Sequence, residues 1–325
     1  MKIASRLLVS GLIISTAGVA QSAAAQSWPT KVVRVIVPVS AGGGIDTVAR
    51  AMAQKYSEAW GQAVVVENRA GAGGIIGADV VAKAPRDGYT LLINSTSQAS
   101  SAAQYARLPY DAQKDFAPAS QIIYTYLMLG ANMKVPATSV KELVALAKTQ
   151  PGKLNFGSTG SGGSPHLVSE LFRLETGINV VHVPYKGDSP LQPALISDEV
   201  QYAFLTPIAL MQHVKSGRVR ALAVTGGRRA SIAPDVPTMA EAGFPGVEFT
   251  GWIGTFAGGG APREVLTRIA EDTQRTLKMP DILARVPGWG GEPAGSTPEE
   301  FEARYRADIA KYARIIREAK IPLLE

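Results

Sequence analysis

The chain has 325 residues, of which 46% are hydrophobic and 18% charged, and it contains no cysteine. This composition excludes a disordered chain and a disulfide scaffold, and the missing thiols exclude cysteine nucleophiles and cysteine-bound zinc. The 33 Lys and Arg residues exceed the 27 Asp and Glu residues, but they are scattered, so we expect no nucleic-acid surface.

The segment 1–25 has the layout of a secretory signal peptide. Lys2 and Arg6 precede an apolar stretch at 7–20, and three alanines end at Ala25. The apolar stretch is too short for a membrane span, so we favour a cleaved signal over an uncleaved anchor. We expect cleavage after Ala25 and a periplasmic protein, whose net charge falls from +6 to +4 without Lys2 and Arg6.

Two strand–loop–helix units open the mature chain. Residues 32–39 form a nearly continuous β-branched run, typical of a strand buried on both faces, and apolar residues recur at helical spacing over 45–60. The second unit has a strand at 63–67, a helix at 75–84 and a further strand at 89–94. This alternation predicts an open α/β sheet with right-handed crossovers.

The middle of the chain starts the same pattern again. We predict strands at 122–130, 154–157, 180–183, 202–205 and 221–225, and helices at 139–149, 166–176, 191–197 and 207–216. A strand at 252–257 and a helical tail at 263–277 and 298–319 follow. We therefore predict an α/β protein of two lobes, each an open, mostly parallel sheet flanked by helices. Residues 26–125 and 248–325 would form lobe 1, and residues 126–247 an inserted lobe 2.

Three glycine- and serine-rich loops lie between a predicted strand and a predicted helix. They are Ser40–Gly44, Ala70–Gly74 and Gly157–Ser164. At such a junction the free backbone N–H groups and the helix dipole can hold an anion, and glycine lets the backbone approach it closely. Each loop alone could be only a tight turn, whereas three of them on two lobes indicate an anion-binding cleft.

Other kinds of site fit the sequence less well. The glycines of the second loop do not have the GxGxxG spacing of a dinucleotide site, and no loop ends as a Walker A motif does. Ser161 or Ser164 with His166 could form a hydrolase or lyase pair, but no GxSxG elbow occurs there. The three histidines lack HExxH spacing, so we expect neither a metal nor a cofactor. Asp46 could cap a helix or contact a ligand donor.

An ordered series of short motifs runs through nearly the whole mature chain. It includes Ile36–Pro38 with Ala41–Gly43 and Asp46, Val64–Arg69 with Gly71–Gly74, Asp87–Leu91, Gly160–Ser164 with His166, His182–Gly187, Arg220–Thr225, Pro234–Thr238 and Glu241–Gly243. In this series the chain resembles the Bug family, the periplasmic receptors of tripartite tricarboxylate transporters. The resemblance implies a two-lobed periplasmic-binding-protein (Venus flytrap) fold that takes a small carboxylate between its lobes. It implies a monomeric receptor rather than an enzyme, which delivers its ligand to a membrane permease or, in some systems, to a sensor.

The resemblance also implies which residues contact the ligand. Lobe 1 would hold the carboxylate with Ser40, Ala41, Gly42 and Gly43, Asp46, Ala72, Gly73 and Gly74, and Ser95 and Thr96. Lobe 2 would close over it with Ser158, Thr159, Gly160, Ser161, Gly162, Ser164 and His166, with Tyr185, Lys186 and Gly187 at the rim, and with Thr206.

The chain departs from the family pattern in two places. Val39 stands where relatives often have Phe, which could leave space for a longer or an aromatic acid. Leu205 and Thr206 follow Phe204 where many relatives have an Asp. Without that acid an ammonium group would lack a partner, so an amino-acid ligand is not expected.

Overall fold

A computed structural model of the chain describes residues 28–160 and 162–325. The predicted signal segment, its cleavage site and Ser161 lie outside the described residues. The strands are β1 (Val33–Val37), β2 (Val64–Asn68), β3 (Thr90–Ser95), β4 (Phe116–Tyr126), β5 (Met128–Asn132), β6 (Asn155–Ser158), β7 (Val181–Pro184), β8 (Tyr202–Leu205), β9 (Val219–Val224), β10 (Thr250–Gly258) and β11 (Gly291–Pro293). The helices are α1 (Gly44–Trp60), α2 (Ile75–Ala82), α3 (Ser97–Gln104), α4 (Val140–Thr149), α5 (Ser164–Thr176), α6 (Asp188–Ser197), α7 (Pro207–Lys215), α8 (Arg263–Thr276), α9 (Pro280–Leu283) and α10 (Pro298–Glu318).

The strands form two sheets, and we call the part of the chain around each sheet a lobe. The sheet of lobe 1 has the order β11-β4-β10-β3-β1-β2, and the sheet of lobe 2 has the order β7-β6-β8-β5-β9. The chain passes from lobe 1 to lobe 2 between β4 and β5, and it returns between β9 and β10. This arrangement is the expected α/β architecture of two sheets flanked by helices.

The strand directions differ from the prediction, because both sheets are mixed rather than mostly parallel. β1 pairs in parallel with β2 and β3, but β10 runs antiparallel to both β3 and β4. In lobe 2, β6 is parallel to β7 and β8, while β5 is antiparallel to β8 and β9. Strands joined by helical crossovers are parallel, whereas β5 and β10, the first strands after the two crossings between the lobes, run in the opposite direction to them.

One buried apolar cluster extends through both lobes. It includes Ile36 and Trp252 of lobe 1, Phe156 of lobe 2 and Ile315 of α10, all essentially buried. α10 packs on α3 and β4 of lobe 1 and on α5 of lobe 2. The C-terminal helix therefore ties the two lobes together behind the chain crossings.

Most predicted elements are present within a few residues, and the differences have local causes. The predicted strand 122–130 is wrong, because β4 ends at Tyr126 and β5 begins at Met128, with Leu127 between the lobes. α6 begins at Asp188 rather than Leu191, and α3 was not predicted, since its serine-rich sequence lacks an apolar periodicity. Ser139 caps α4 as predicted by accepting a hydrogen bond from the backbone N–H of Glu142.

None of the helices formed by the described residues combines the length and the apolar character that crossing a membrane requires.

Candidate functional site

A cleft of about 480 Å³ lies between the two lobes, and we call it the interlobe cleft. Its lobe 1 wall consists of Ile45, Ser95, Thr96, Trp252 and Ile253. Its lobe 2 wall consists of Thr159, Ser164, Pro165, Gly187, Asp188 and Thr206, and Thr125 and Leu127 lie where the chain crosses between the lobes. Among the described residues, the walls carry hydroxyl groups, backbone and apolar side chains, with a single formal charge at Asp188.

Five helices begin at this cleft. Each contributes a residue of its first turn or its N-terminal cap to the walls, namely Ile45 of α1, Thr96 of α3, Ser164 of α5, Asp188 of α6 and Thr206 of α7. The first N–H groups of a helix have no partner within the helix, and the helix dipole adds positive potential there. The cleft can therefore hold an anionic group with backbone donors and without a basic side chain.

The hydroxyl groups of Thr96 and Thr206 are held by the protein itself. The Thr96 hydroxyl accepts a hydrogen bond from the backbone N–H of Trp252 at 3.1 Å. The Thr206 hydroxyl accepts one from the N–H of Ala209 at 3.4 Å and so caps α7. These bonds fix the orientation of both side chains at the edge of the cleft.

The two crossings between the lobes are joined by one buried threonine. The Thr225 hydroxyl accepts a hydrogen bond from the N–H of Leu127 at 2.9 Å and donates one to the carbonyl oxygen of Phe249 at 2.5 Å. The Thr225 backbone also bonds to both segments. Because Leu127 lines the cleft, this junction determines how the two walls face each other.

The structure brings six of the residues proposed from the sequence together in the cleft and separates the others. Those in the cleft are Ser95, Thr96, Thr159, Ser164, Gly187 and Thr206. Ala41, Gly42 and Asp46 instead line an open groove beside Arg50 and Arg285. Other predicted residues of lobe 1 lie outside the cleft lining, namely Ser40, Gly43 and Ala72–Gly74. In lobe 2 the same is true of Ser158, Gly160, Tyr185 and Lys186. A separate cavity is lined by Gly162 and His166.

Asp46 supports the first loop through its internal contacts. Its carboxylate accepts hydrogen bonds from the N–H of Gly42 at 2.8 Å, from Arg50 at 2.9 Å and from the Asn68 amide at 2.9 Å. Burial opposes the charge, but the bonds from Arg50, Gly42 and Asn68 outweigh it and lower the pKa of Asp46. With both oxygens occupied, Asp46 fixes the loop that leads into α1.

The loop at 158–164 separates the cleft from a second cavity of about 340 Å³. Thr159 and Ser164 face the cleft, whereas Gly162 lines the cavity behind the loop. Gly162 has a φ of +78°, and the Gln104 amide of lobe 1 donates a hydrogen bond to its carbonyl oxygen. A side chain at residue 162 would both strain the backbone and collide with Gln104. This glycine therefore permits a direct contact between the lobes.

Two stacked histidines hold this loop from behind. The ring centroids of His166 and His182 lie 4.0 Å apart, with 9° between the ring planes. His166 Nδ1 accepts a hydrogen bond from the N–H of Gly162 at 2.9 Å, and His182 Nε2 lies 2.7 Å from the Ser158 hydroxyl. Burial, with a smaller contribution from His182, lowers the pKa of His166 to about 4. The neutral ring is therefore the form that anchors the loop.

The stability of the protein is expected to fall as the pH is lowered, because of His166. Its pKa of about 4 in the folded chain lies below the ordinary 6.5, so between these values the unfolded chain binds a proton that the folded chain does not. From about pH 7.5 to about pH 5 this lowers the free energy of unfolding by about 2 kcal/mol. Urea unfolding of the wild type and of His166→Asn, whose side-chain oxygen can still accept from Gly162, measures the difference. An equal loss in both proteins would contradict the assignment, since the variant retains only the smaller contributions of the other histidines.

The proposed serine–histidine pair is not assembled in the described part of the chain. Ser164 lies in the cleft, whereas His166 points into the cavity behind the loop and binds Gly162. In the close Ser158–His182 pair the serine has no exposed surface, and His182 lines the cavity behind the loop rather than the cleft. The described residues also contain no cluster of three side chains that could ligate a metal ion.

Seven residues of the cleft were not proposed from the sequence. They are Ile45, Thr125, Leu127, Pro165, Asp188, Trp252 and Ile253. Leu127 and Trp252 lie in segments predicted to be continuous strands, so no local sequence signal indicated that they line the cleft. Asp188 directly follows the predicted rim residues Tyr185–Gly187, and that position is the one signal that could have found it.

Comparisons with known proteins agree with this architecture. The family described as "Tripartite tricarboxylate transporter family receptor" matches residues 48–321. Protein BugT of Bordetella pertussis is 34% identical over 320 residues, which cover 98% of each chain. This relative confirms the resemblance to the Bug family.

Two solved structures are similar over nearly the whole chain. One is Rpa4515 of R. palustris with adipate, which is 34% identical with a TM-score of 0.74 over 91% of this chain and 100% of that one. The other is the periplasmic binding protein BugD, which is 30% identical with a TM-score of 0.71 over 91% of this chain and 100% of that one. Both likenesses confirm the expected two-lobed fold of periplasmic binding proteins. The chain belongs to the receptor family of the tripartite tricarboxylate transporters, the TctC family.

Proposed function

We propose that this chain is a non-catalytic periplasmic receptor that captures a small carboxylate in the interlobe cleft. The observation that carries the proposal is the convergence of five helix N-termini on a cleft without basic side chains among its described lining residues. A carboxylate buried without good donors would cost several kcal/mol, and backbone N–H groups at helix starts supply such donors. The adipate in the related structure of Rpa4515 supports this ligand class.

The proposed binding residues are those that line the cleft. They comprise Ser95 and Thr96 of lobe 1 and Thr159, Ser164, Gly187 and Thr206 of lobe 2, together with the seven residues that the sequence did not indicate. The proposed lobe limits are 26–125 with 248–325, and 126–247. The sheets support these limits to within one residue, because β5–β9 all belong to the second sheet, while Tyr126 is the last residue of β4 in the first. A ligand whose hydrogen bonds are completed only when the lobes close would shift the population toward the closed form.

Membership of a transporter receptor family supports delivery of the ligand to a membrane permease as the next step. We propose that the mature chain, released after Ala25, acts as a monomer in the periplasm. Mass determination of the exported protein and its elution in size-exclusion chromatography test these two points.

A thermal-shift panel of mono- and dicarboxylates on the purified mature chain tests the receptor function. A carboxylate at about 100 times its dissociation constant should stabilise the folded chain by about 2.7 kcal/mol. Esters of the same acids are included, and their turnover is followed. The receptor proposal fails if no carboxylate raises the melting temperature, and turnover of an ester would favour an exported hydrolase instead.

A further inference from the structure

Asp188 is the only formally charged side chain among the described residues that line the interlobe cleft. It is the first residue of α6, directly after Gly187, and it projects from the lobe 2 wall. The other side chains of the walls are hydroxyl-bearing or apolar. A ligand enclosed in the cleft therefore meets one fixed carboxylate.

The Asp188 carboxylate has no partner within the described part of the chain. It forms neither a hydrogen bond nor an ion pair there, and burial is the sole cause of the rise in its pKa. A half-buried carboxylate without a counterion is costly, and closure of the cleft increases that cost by removing water. A ligand that brings a positive charge to Asp188 would relieve it.

The lobe 1 wall has the opposite character. Ser95 and Thr96 lie at the start of α3, and Ile45 lies in the first turn of α1. Helix starts favour negative charge, and no acidic side chain of the described residues stands on this wall. Three helices also begin at the lobe 2 wall, but Asp188 adds a formal negative charge there. The anionic end of a ligand is therefore favoured at lobe 1, and a cationic end beside Asp188.

We propose that the ligand of this receptor is a zwitterion, with a carboxylate held by lobe 1 and an ammonium group that binds Asp188 of lobe 2. The proposal rests on the carboxylate-binding function given above and names its substrate class. It departs from the expectation drawn from Thr206, because the structure brings an acid into the cleft from a different position. Asp188 also disfavours dianionic dicarboxylates, since like charges placed together in an enclosed site repel each other strongly.

Matched pairs of probes test this selectivity on the purified mature chain by isothermal titration calorimetry. Each pair replaces one carboxylate by an ammonium group: succinate with 4-aminobutanoate, adipate with 6-aminohexanoate, and terephthalate with 4-(aminomethyl)benzoate. In at least one pair the zwitterion should bind tenfold or more tightly than the dianion. If Asp188 only stabilised α6, the zwitterion and the dianion of each pair would not show this difference in affinity.

The variant Asp188→Asn should abolish the preference or reverse it, while the chain keeps its fold. The control is Asp198→Asn, which removes an equal charge from the other end of α6. Asp198 has a φ of 77°, a conformation that asparagine adopts readily, and it lies outside the cleft. This control should retain the wild-type preference.

The possible results separate this proposal from the proposed function. If no carboxylate of any kind binds, the receptor function itself fails. If carboxylates bind but no zwitterion is preferred, or if the preference is the same in Asp188→Asn, the proposal is overturned and the receptor function stands. A preference lost equally in both variants would also overturn it, because general charge rather than Asp188 would be responsible.

Discussion

Replacement of Asp308 by alanine is expected to lower the free energy of unfolding by about 3 kcal/mol or more. Asp308 is essentially buried on α10, and its carboxylate accepts hydrogen bonds from the Trp252 indole N–H at 2.9 Å and from Arg304 at 2.7 Å. Arg304 in turn donates to the carbonyl oxygen of Thr250 at 2.6 Å. Removal of the carboxylate leaves an indole N–H and a guanidinium group without their buried partner.

Chemical denaturation of the purified variant measures this loss. The matched control is Glu302→Ala on the same helix, which removes an exposed ion pair with Arg306 at 2.8 Å. Exposed pairs contribute about 0.5 kcal/mol or less, so the control should unfold nearly as the wild type does. Equal losses in the two variants would show that the buried network around Asp308 does not stabilise the fold.

The Asp308 network also connects stability with the proposed site. Trp252 lines the interlobe cleft and belongs to β10, the strand on which the chain returns to lobe 1. Because α10 holds this strand from behind, its packing positions the central part of the lobe 1 wall.

Introduction of a negative charge at Ser95 is expected to weaken the binding of any carboxylate about 1000-fold. Ser95 is half-buried at the end of β3 and lines the cleft. Two like charges about 4 Å apart repel each other by about 4 kcal/mol at an effective dielectric constant of about 20, and each 1.4 kcal/mol corresponds to about tenfold in affinity. The variant Ser95→Asp therefore tests whether lobe 1 holds the carboxylate.

The neutral control Ser95→Asn separates charge from size. The Ser95 hydroxyl accepts a hydrogen bond from the N–H of Ser97 at 3.3 Å, and the side chains of both variants can also accept at this position. Both proteins should keep the wild-type melting temperature within a few degrees, and the asparagine variant should lose less than about tenfold in affinity. Equal weakening of binding by Asn and Asp would place the carboxylate elsewhere in the cleft.

Some features could be predicted from the sequence because their signals are local. The β-branched run that contains Val35 predicts a buried strand, and Ser139 followed by Glu142 predicts the start of α4; the structure has both. The three glycine-rich loops were correctly located between strands and helices. In each case neighbours along the chain suffice to determine the conformation.

The composition of the cleft was less accessible, because it depends on which side of each loop faces the other lobe. Thr159 and Ser164 face the cleft, whereas Gly162 of the same loop faces the cavity behind it. The glycines of the first loop lie in or near a separate groove, where Asp46 binds the loop internally. The glycine content correctly marked the loops that precede the helices, but it did not indicate which way those loops face.

The sequence by itself determined an α/β chain with two sheets, its strand-to-helix loops and its family, because periodicity and ordered motifs are properties of neighbouring residues. Only the tertiary structure decided that Asp188 would be the single described charge in the cleft and that Trp252 would form part of its wall. These positions follow from the crossings at Leu127 and Thr225 and from α10, which bring residues distant in sequence to face each other. Contacts of that kind depend on the packing of whole lobes, and no local pattern in the chain encodes them.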